Sequence, residues 1–177
     1  MSGAVRMDAA AVLASAAAGD EVAFARIVEA HDDEMYRVCV AVCRDHAIAS
    51  DGVQAAWAIA WRKLGSVRDP ERLRAWLVAV AVNETRTLLR RRQRRSLTEV
   101  PVDASGSPGG FDPGADPASI DLRDLLERLD ADDRALLAMR YVAGFNATEL
   151  ATVLGISPSG TRTRLERLVA RLRQELS

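Results

Sequence analysis

The stretch NATELATVLGISPSGTRTRLERLVARLRQEL, residues 146–176, constrains the fold more tightly than any other part of the chain. Asn146 stands three residues before Glu149, the spacing of a capping box in which amide oxygen and carboxylate each cover an orphan backbone N–H. Leu150, Ala151 and Leu154 then share one apolar face of a short helix, and Gly155 can take the left-handed conformation that ends it. Ile156 is expected to fill the elbow. Ser157 is a good N-cap and Pro158 a good first helical residue, since its missing N–H costs nothing there. In the helix that follows, Leu165, Leu168, Val169, Leu172 and Leu176 form a narrow stripe at 100° per residue, with Thr161 also inward. Ser159, Gly160, Thr163, Arg164, Arg167 and Arg171 fall on the opposite side. The pair reads as a helix-turn-helix, whose second helix enters a major groove with its first residues while guanidinium groups bond base edges or phosphates. A solvated arginine face on an ordinary helical hairpin is the alternative.

The remaining sequence reads as helices with no alternating strand pattern. Asp8 to Ala18 is a short helix stopped by Gly19, and Asp20 caps a second with Phe24, Ile27 and Val28 inward. A third carries Met35, Val38, Cys39, Val42, Cys43 and His46. A fourth starts near Ser50 or Asp51 and buries Val53, Trp57, Ala60, Trp61 and Leu64, leaving Asp51, Gln54, Ala55, Ala58 and Arg62 outside. Gly65 to Pro70 is a loop, and from Pro70 a long helix turns Leu73, Trp76, Leu77, Val80, Ala81 and Leu88 inward and ends in an arginine run. From Ser96 to Pro117 the period is lost in VPVDASGSPGGFDPGADP, whose Pro, Gly, Ser and Asp content is that of a flexible linker. Beyond it, Ile120–Leu129 and Asp132–Val142 are two more helices before the motif. The expectation is an all-α chain: a helical domain over 1–95, a flexible linker over 96–117, and a second helical domain over 118–177 containing the helix-turn-helix.

With 177 residues, 49% of them hydrophobic, the chain suits one large or two small globular domains that fold without a metal or disulfide. The net charge of −1 hides an uneven distribution. Arg86, Arg90, Arg91, Arg92, Arg94 and Arg95 crowd one segment, while Asp121 to Asp133 is mostly acidic, and such local patches decide what a surface attracts. Cys39, Cys43 and His46 share a helical face, with His31 a conceivable fourth ligand. A buried pair of thiols beside Val38 and Val42 is the plainer reading, so neither metal nor cofactor is expected. The alanine-rich opening lacks a signal-peptide core, and no stretch reaches the ~20 apolar residues that span a bilayer, so a cytoplasmic chain without membrane insertion is expected. There is no Walker loop, no His-carboxylate set and no Gly-rich phosphate fingerprint, so the sequence shows no catalytic constellation and no enzyme is expected.

Three segments together resemble the extracytoplasmic-function group of bacterial sigma factors within the sigma-seventy family: GDEVAFARIVEAH, RDPERLRAWLVAVAVNETRTLLRRR and LERLDADDRALLAMRYVAGFNATELATVLGIS, in that order and with a linker before the last. The resemblance implies a non-enzymatic initiation factor with core RNA polymerase and promoter DNA as partners and an anti-sigma factor as a further partner. It places polymerase docking on Asp51, Gln54, Ala55 and Ala58. It places minus-ten recognition and melting on Arg68 and Asp69 of the pocket loop and on Asn83, Arg86 and Arg90 of the long helix, with Asn83 near a flipped base. Minus-thirty-five recognition falls on Ser159, Arg162, Thr163, Arg164, Arg167 and Arg171. Two readings compete with it: a stand-alone helix-turn-helix regulator, which would need a dimer and a palindrome, and an all-helical adaptor or metal sensor.

Overall fold

The computed structural model describes residues 9–98, 125–126 and 128–176, and every regular element among them is helical. Helix α1 (Ala9–Ala17) is followed by Gly19, whose φ of 95° turns the chain, and Asp20 then accepts the N–H groups of Val22 and Ala23 at 2.9 and 3.1 Å to start α2 (Glu21–Cys43). Two helices are expected from the sequence between Asp20 and His46, yet α2 runs unbroken for 23 residues. No Gly or Pro interrupts it, and its polar middle finds partners on its neighbours: Asp32 accepts the Trp57 indole N–H at 2.7 Å, and Glu34 accepts Arg74 Nε at 3.0 Å.

The turn after α2 also differs from expectation. Arg44 takes the left-handed conformation (φ 56°), Asp45 caps the next helix by accepting from Ala47 and Ile48, and α3 (His46–Lys63) starts four residues before Ser50. His46 therefore opens a new helix and does not share a face with Cys39 and Cys43; it meets Tyr36 Oη through Nδ1 at 2.9 Å. After a 3-10 turn at Leu64–Ser66, Asp69 accepts the Glu71 N–H at 3.0 Å and α4 (Pro70–Thr98) begins. That helix continues past Arg95 into the first residues of the expected linker, whose other residues, 99–117, lie outside the described ones, as does most of the helix expected at Ile120–Leu129.

Helices α2, α3 and α4 pack together through Met35, Val38 and Val42, through Ala49, Ala56 and Ala60, and through Leu77, Val78, Ala81 and Val82. The α3–α4 crossing is close because Gly52 faces Thr85: a Cβ at residue 52 would lie 2.2 Å from Thr85 Oγ1 and 3.1 Å from Thr85 Cα. Trp61, expected in this core, is 42% exposed. It stacks edge-on against Phe24 at 4.9 Å near the end of α3, where no described element covers its outer face.

Asp130 caps α5 (Ala131–Leu137), accepting the N–H groups of Asp132 and Asp133. The α-helix expected to reach Val142 widens after Leu137 into a π turn, Ala138–Val142, in which Ala143 N–H donates to Ala138 O at 3.1 Å. The widened turn and Gly144 (φ 70°) carry Phe145 to full burial, its N–H bonded to Met139 O at 2.9 Å. Helices α6 (Ala147–Leu154) and α7 (Pro158–Glu175) start and stop as their residues dictate: the Asn146–Glu149 capping box is complete, Gly155 has φ 67°, and Ser157 accepts the Gly160 N–H at 3.1 Å. Thr161 is inward and donates to Ser157 O at 3.1 Å. Ile156, expected in the elbow, is 40% exposed where the chain leaves left-handed Gly155, while Leu150, Thr161 and Leu168 of the flanking helices are buried. Leu176 lies past the last turn and is exposed too.

Helix α5, the π turn and α6 rest on α2 and α4. Leu136, Met139 and Phe145 join the same apolar cluster as Val38, Val42 and Leu77, with α5 and the π turn lying against α2, and α6 against α4.

Candidate nucleic-acid interface

Three surfaces carry the residues singled out by sequence. On α3, Asp51, Gln54 and Ala58 are exposed and Ala55 half-buried, so that their strip is open along most of its length. Asp51 lies six residues inside the helix, and its carboxylate is not used as a cap.

The second surface is the loop before α4 and the face of that helix. Arg68 and Asp69 are exposed, and Asp69 carries both the cap of α4 and a pair with Arg72. Asn83 is exposed, and Arg86, one turn later, donates from Nη1 to Asn83 Oδ1 at 3.3 Å. Arg86 is nevertheless mostly covered: its Nε donates to Asp132 Oδ1 at 2.9 Å and its Nη2 bonds the same oxygen. Arg90 and Arg91 are exposed, while Arg92 pairs with Asp45. The Asp45 carboxyl is held below its usual range by the Ile48 N–H first and by Arg92 as well.

The third surface is α7. Ser159, Arg162 and Thr163 are exposed at its start and Arg167 near its middle. Arg164 and Arg171, expected on the outward face, turn onto Asp133: Arg164 Nη2 reaches Oδ1 and Arg171 Nη2 reaches Oδ2, both at 2.9 Å, and the Asp133 side chain keeps 13% exposure. A long arginine stem can lie along its helix and deliver the charge to a neighbour, which a helical wheel does not register. The sequence did carry a signal for this, the acidic run ending at Asp133 opposite so many arginines. Nothing in it named the partners.

Among the described residues no group of three or more His, Cys, Asp and Glu side chains is placed to hold a metal ion. Cys39 and Cys43 are buried free thiols. Burial pushes the Cys39 thiol up to about 11; the adjacent Thr85 hydroxyl offsets part of this without the geometry of a full hydrogen bond.

Two family descriptions match the chain, Sigma-70 region 2 over residues 27–95 and Sigma-70, region 4 over residues 119–172. The ECF RNA polymerase sigma factor SigL of Mycobacterium tuberculosis is 33% identical over 168 residues, covering 92% of this chain and 94% of SigL. The chain belongs to the extracytoplasmic-function group of the sigma-70 family. Its function is that of an RNA polymerase sigma factor in transcription initiation, and a stand-alone regulator is not favoured. A probable sigma factor, RfaY, of Xanthomonas campestris pv. campestris is 31% identical over 172 residues, 93% of this chain but 43% of that longer protein. The chain thus spans less than half the length of this relative and nearly all of SigL. Among solved structures, CnrH in complex with the cytosolic domain of CnrY superposes with a TM-score of 0.67 at 27% identity, covering 96% of this chain and 97% of CnrH. Factors of this family are in general not enzymes, and no described helix of this one is long and apolar enough to cross a membrane.

Proposed function

We propose that this sigma factor, itself without catalytic activity, docks on core RNA polymerase through Asp51, Gln54, Ala55 and Ala58. The same reading gives Arg68, Asp69, Asn83, Arg86 and Arg90 the minus-ten element, and Ser159, Arg162, Thr163, Arg164, Arg167 and Arg171 the minus-thirty-five element. The observation that carries it is the order of the two matched regions, 27–95 and 119–172, the first bearing its residues on α3, the loop before α4 and α4 itself, the second on α7. An exposed acid and amide on α3 suit a basic partner surface through charge and hydrogen bonds. An amide at Asn83 both donates to and accepts from a base edge, so it can replace the bonds a base loses on leaving the stack.

In this reading residues 1–95 and 118–177 are the two domains and 96–117 their tether, which lets one factor address two DNA elements at once. The chain works in the cytoplasm, where the polymerase is. A partner that restrains it, an anti-sigma factor, follows from the family; support comes from CnrH, whose structure is of a complex with the cytosolic domain of CnrY.

Co-elution with core polymerase tests the docking strip: Asp51→Arg with Gln54→Ala is expected to abolish it, and unchanged co-elution refutes the assignment. Permanganate footprinting of an open promoter tests Asn83, since Asn83→Ala should weaken melting while upstream protection persists. Equal footprints would remove Asn83 from the reading.

A further inference from the structure

The outward face of α7 carries a carboxylate as well as arginines. Ser159, Thr163, Glu166 and Ala170 follow one another at steps of four, three and four residues, on the side away from the buried Thr161, Leu168 and Leu172. Steps of that size keep side chains on one side of a helix with about 3.6 residues per turn. Arg162 and Arg167 stand on the two margins of this stripe, and all six residues are exposed. Arg164 and Arg171 lie further round, where Asp133 of α5 fixes them: Nη2 of each donates to one of its two oxygens at 2.9 Å, and the Asp133 side chain keeps 13% exposure. The face left to meet a ligand is therefore the stripe with its two margins, and Glu166 stands within it.

Among the described residues the Glu166 side chain has no hydrogen-bond or ion-pair partner. Arg162 precedes it by one turn, but an arginine before a glutamate is the weaker order of such a pair, because both charges then oppose the helix dipole. On a face that enters DNA a carboxylate is repelled by the phosphates, and it has acceptors only. In the major groove guanine presents N7 and O6 and thymine presents O4, all of them acceptors, while adenine sets its N7 acceptor beside the N6 amino donor. Cytosine presents its N4 amino group and no acceptor. It is the base whose groove edge gives a carboxylate a donor with nothing beside it to repel the charge, and the guanine paired with it offers O6 and N7 to an adjacent guanidinium.

We propose that Glu166 reads a cytosine of the minus-thirty-five element by accepting a hydrogen bond from its N4 amino group, with Arg162 and Arg167 beside it for guanines or phosphates. The inference rests on the proposed placement of α7 on that element and adds a residue whose main effect is exclusion. Opposite any base without a matching donor the carboxylate is left unpaired among phosphates and binding weakens, so Glu166 sharpens selectivity more than it raises affinity. A matched contact of this kind separates the right base from the wrong ones by about tenfold.

The test uses holoenzyme formed by the full chain and core RNA polymerase, offered a library of promoter duplexes with a randomised upstream element. Bound duplexes are sequenced for the natural chain, for Glu166→Gln and for Glu166→Ala. With the natural chain one upstream position is expected to favour cytosine about tenfold. Glutamine both donates and accepts and pairs with adenine N6 and N7, so Glu166→Gln is expected to move the preference at that same position to adenine. Glu166→Ala should accept all four bases there and leave the other positions unchanged. Melting curves of both variants should match that of the natural chain, since the side chain is exposed. A selected element in which no cytosine position responds to either variant, or a loss spread evenly over all positions, overturns the inference and leaves α7 on the element. A selection by the natural chain with no upstream preference at all overturns the placement of α7 and this inference with it, so the two failures are distinguishable.

Discussion

Gly52→Ala places a methyl group into the close crossing of α3 and α4. Its Cβ would stand 2.2 Å from Thr85 Oγ1, 3.2 Å from Thr85 Cβ and 3.1 Å from Thr85 Cα. Turning the threonine moves the hydroxyl but brings its methyl toward the same space, and the Thr85 backbone cannot turn away, so α3 and α4 must separate. Overpacking of this kind costs about 1–3 kcal/mol, and the nearness of backbone argues for the upper end. Alanine regains about 1 kcal/mol of helix propensity over glycine, so a net loss of roughly 2 kcal/mol is expected. For a chain of this length that is about 4–8 °C in Tm. Thermal melting by circular dichroism reads it directly. Thr85→Ala in the same chain removes the nearest atom, a buried hydroxyl without a hydrogen-bond partner, and should restore at least half of the loss. The resulting coupling is at least about 1 kcal/mol in a double-mutant cycle. A Gly52→Ala chain as stable as the natural one, or strict additivity with Thr85→Ala, would refute the close-crossing argument. The crossing also bears on function, because α3 carries the proposed polymerase strip and α4 the proposed minus-ten residues, and its closeness fixes the angle between them.

Phe145→Ala empties a fully buried ring site under Arg74 and should cost about 3–5 kcal/mol, read as the midpoint of urea unfolding. Asn146→Ala removes one half of the capping box and should cost about 1 kcal/mol in the same assay. Arg167→Ala, on an exposed α7 position, should lose about 1–3 kcal/mol selectively across a panel of upstream promoter variants, whereas uniform loss would make Arg167 a phosphate anchor. Cys39, its thiol pushed up to about 11 chiefly by burial, should resist Ellman's reagent in the folded chain; the stability held by its protonated form is full below the ordinary thiol value of 9.0 and lost as pH rises through about 11. His31 is shifted the other way, held below 6.5 by burial first and by Arg74 in addition, against the pull of Glu34. Its neutral form favours the fold, so that contribution is complete above 6.5 and declines as pH falls through the lowered value, which His31→Gln should abolish in a pH series of melting curves.

The helix-turn-helix was readable residue by residue because each of its signals acts locally. A capping box, a left-handed glycine and a proline at the first helical position depend on neighbours a few bonds away, so the helix ends within residues 146–158 form as their sequence dictates, even though Ile156 turns outward. The same holds for Asp20. Where a local signal is weak, tertiary partners decided: the polar middle of α2, which resembles a break between two helices, is carried through by Trp57 and Arg74 from other elements. The start of α3 moved to Asp45 because a left-handed Arg44 precedes it, a conformation the residue type does not announce. Family membership was likewise legible, since it rests on the order of two patterns along the chain. What the sequence alone could not decide is where long charged side chains end. A periodic pattern assigns Arg164 and Arg171 to an outward face, but the tips of those side chains travel several ångströms from their Cα atoms and settle wherever an opposite charge is within reach. Only the seating of α5 on α2 and α4 puts Asp132 and Asp133 within reach of α4 and α7, and this placement depends on packing between residues more than ninety positions apart, such as Val42 and Arg134.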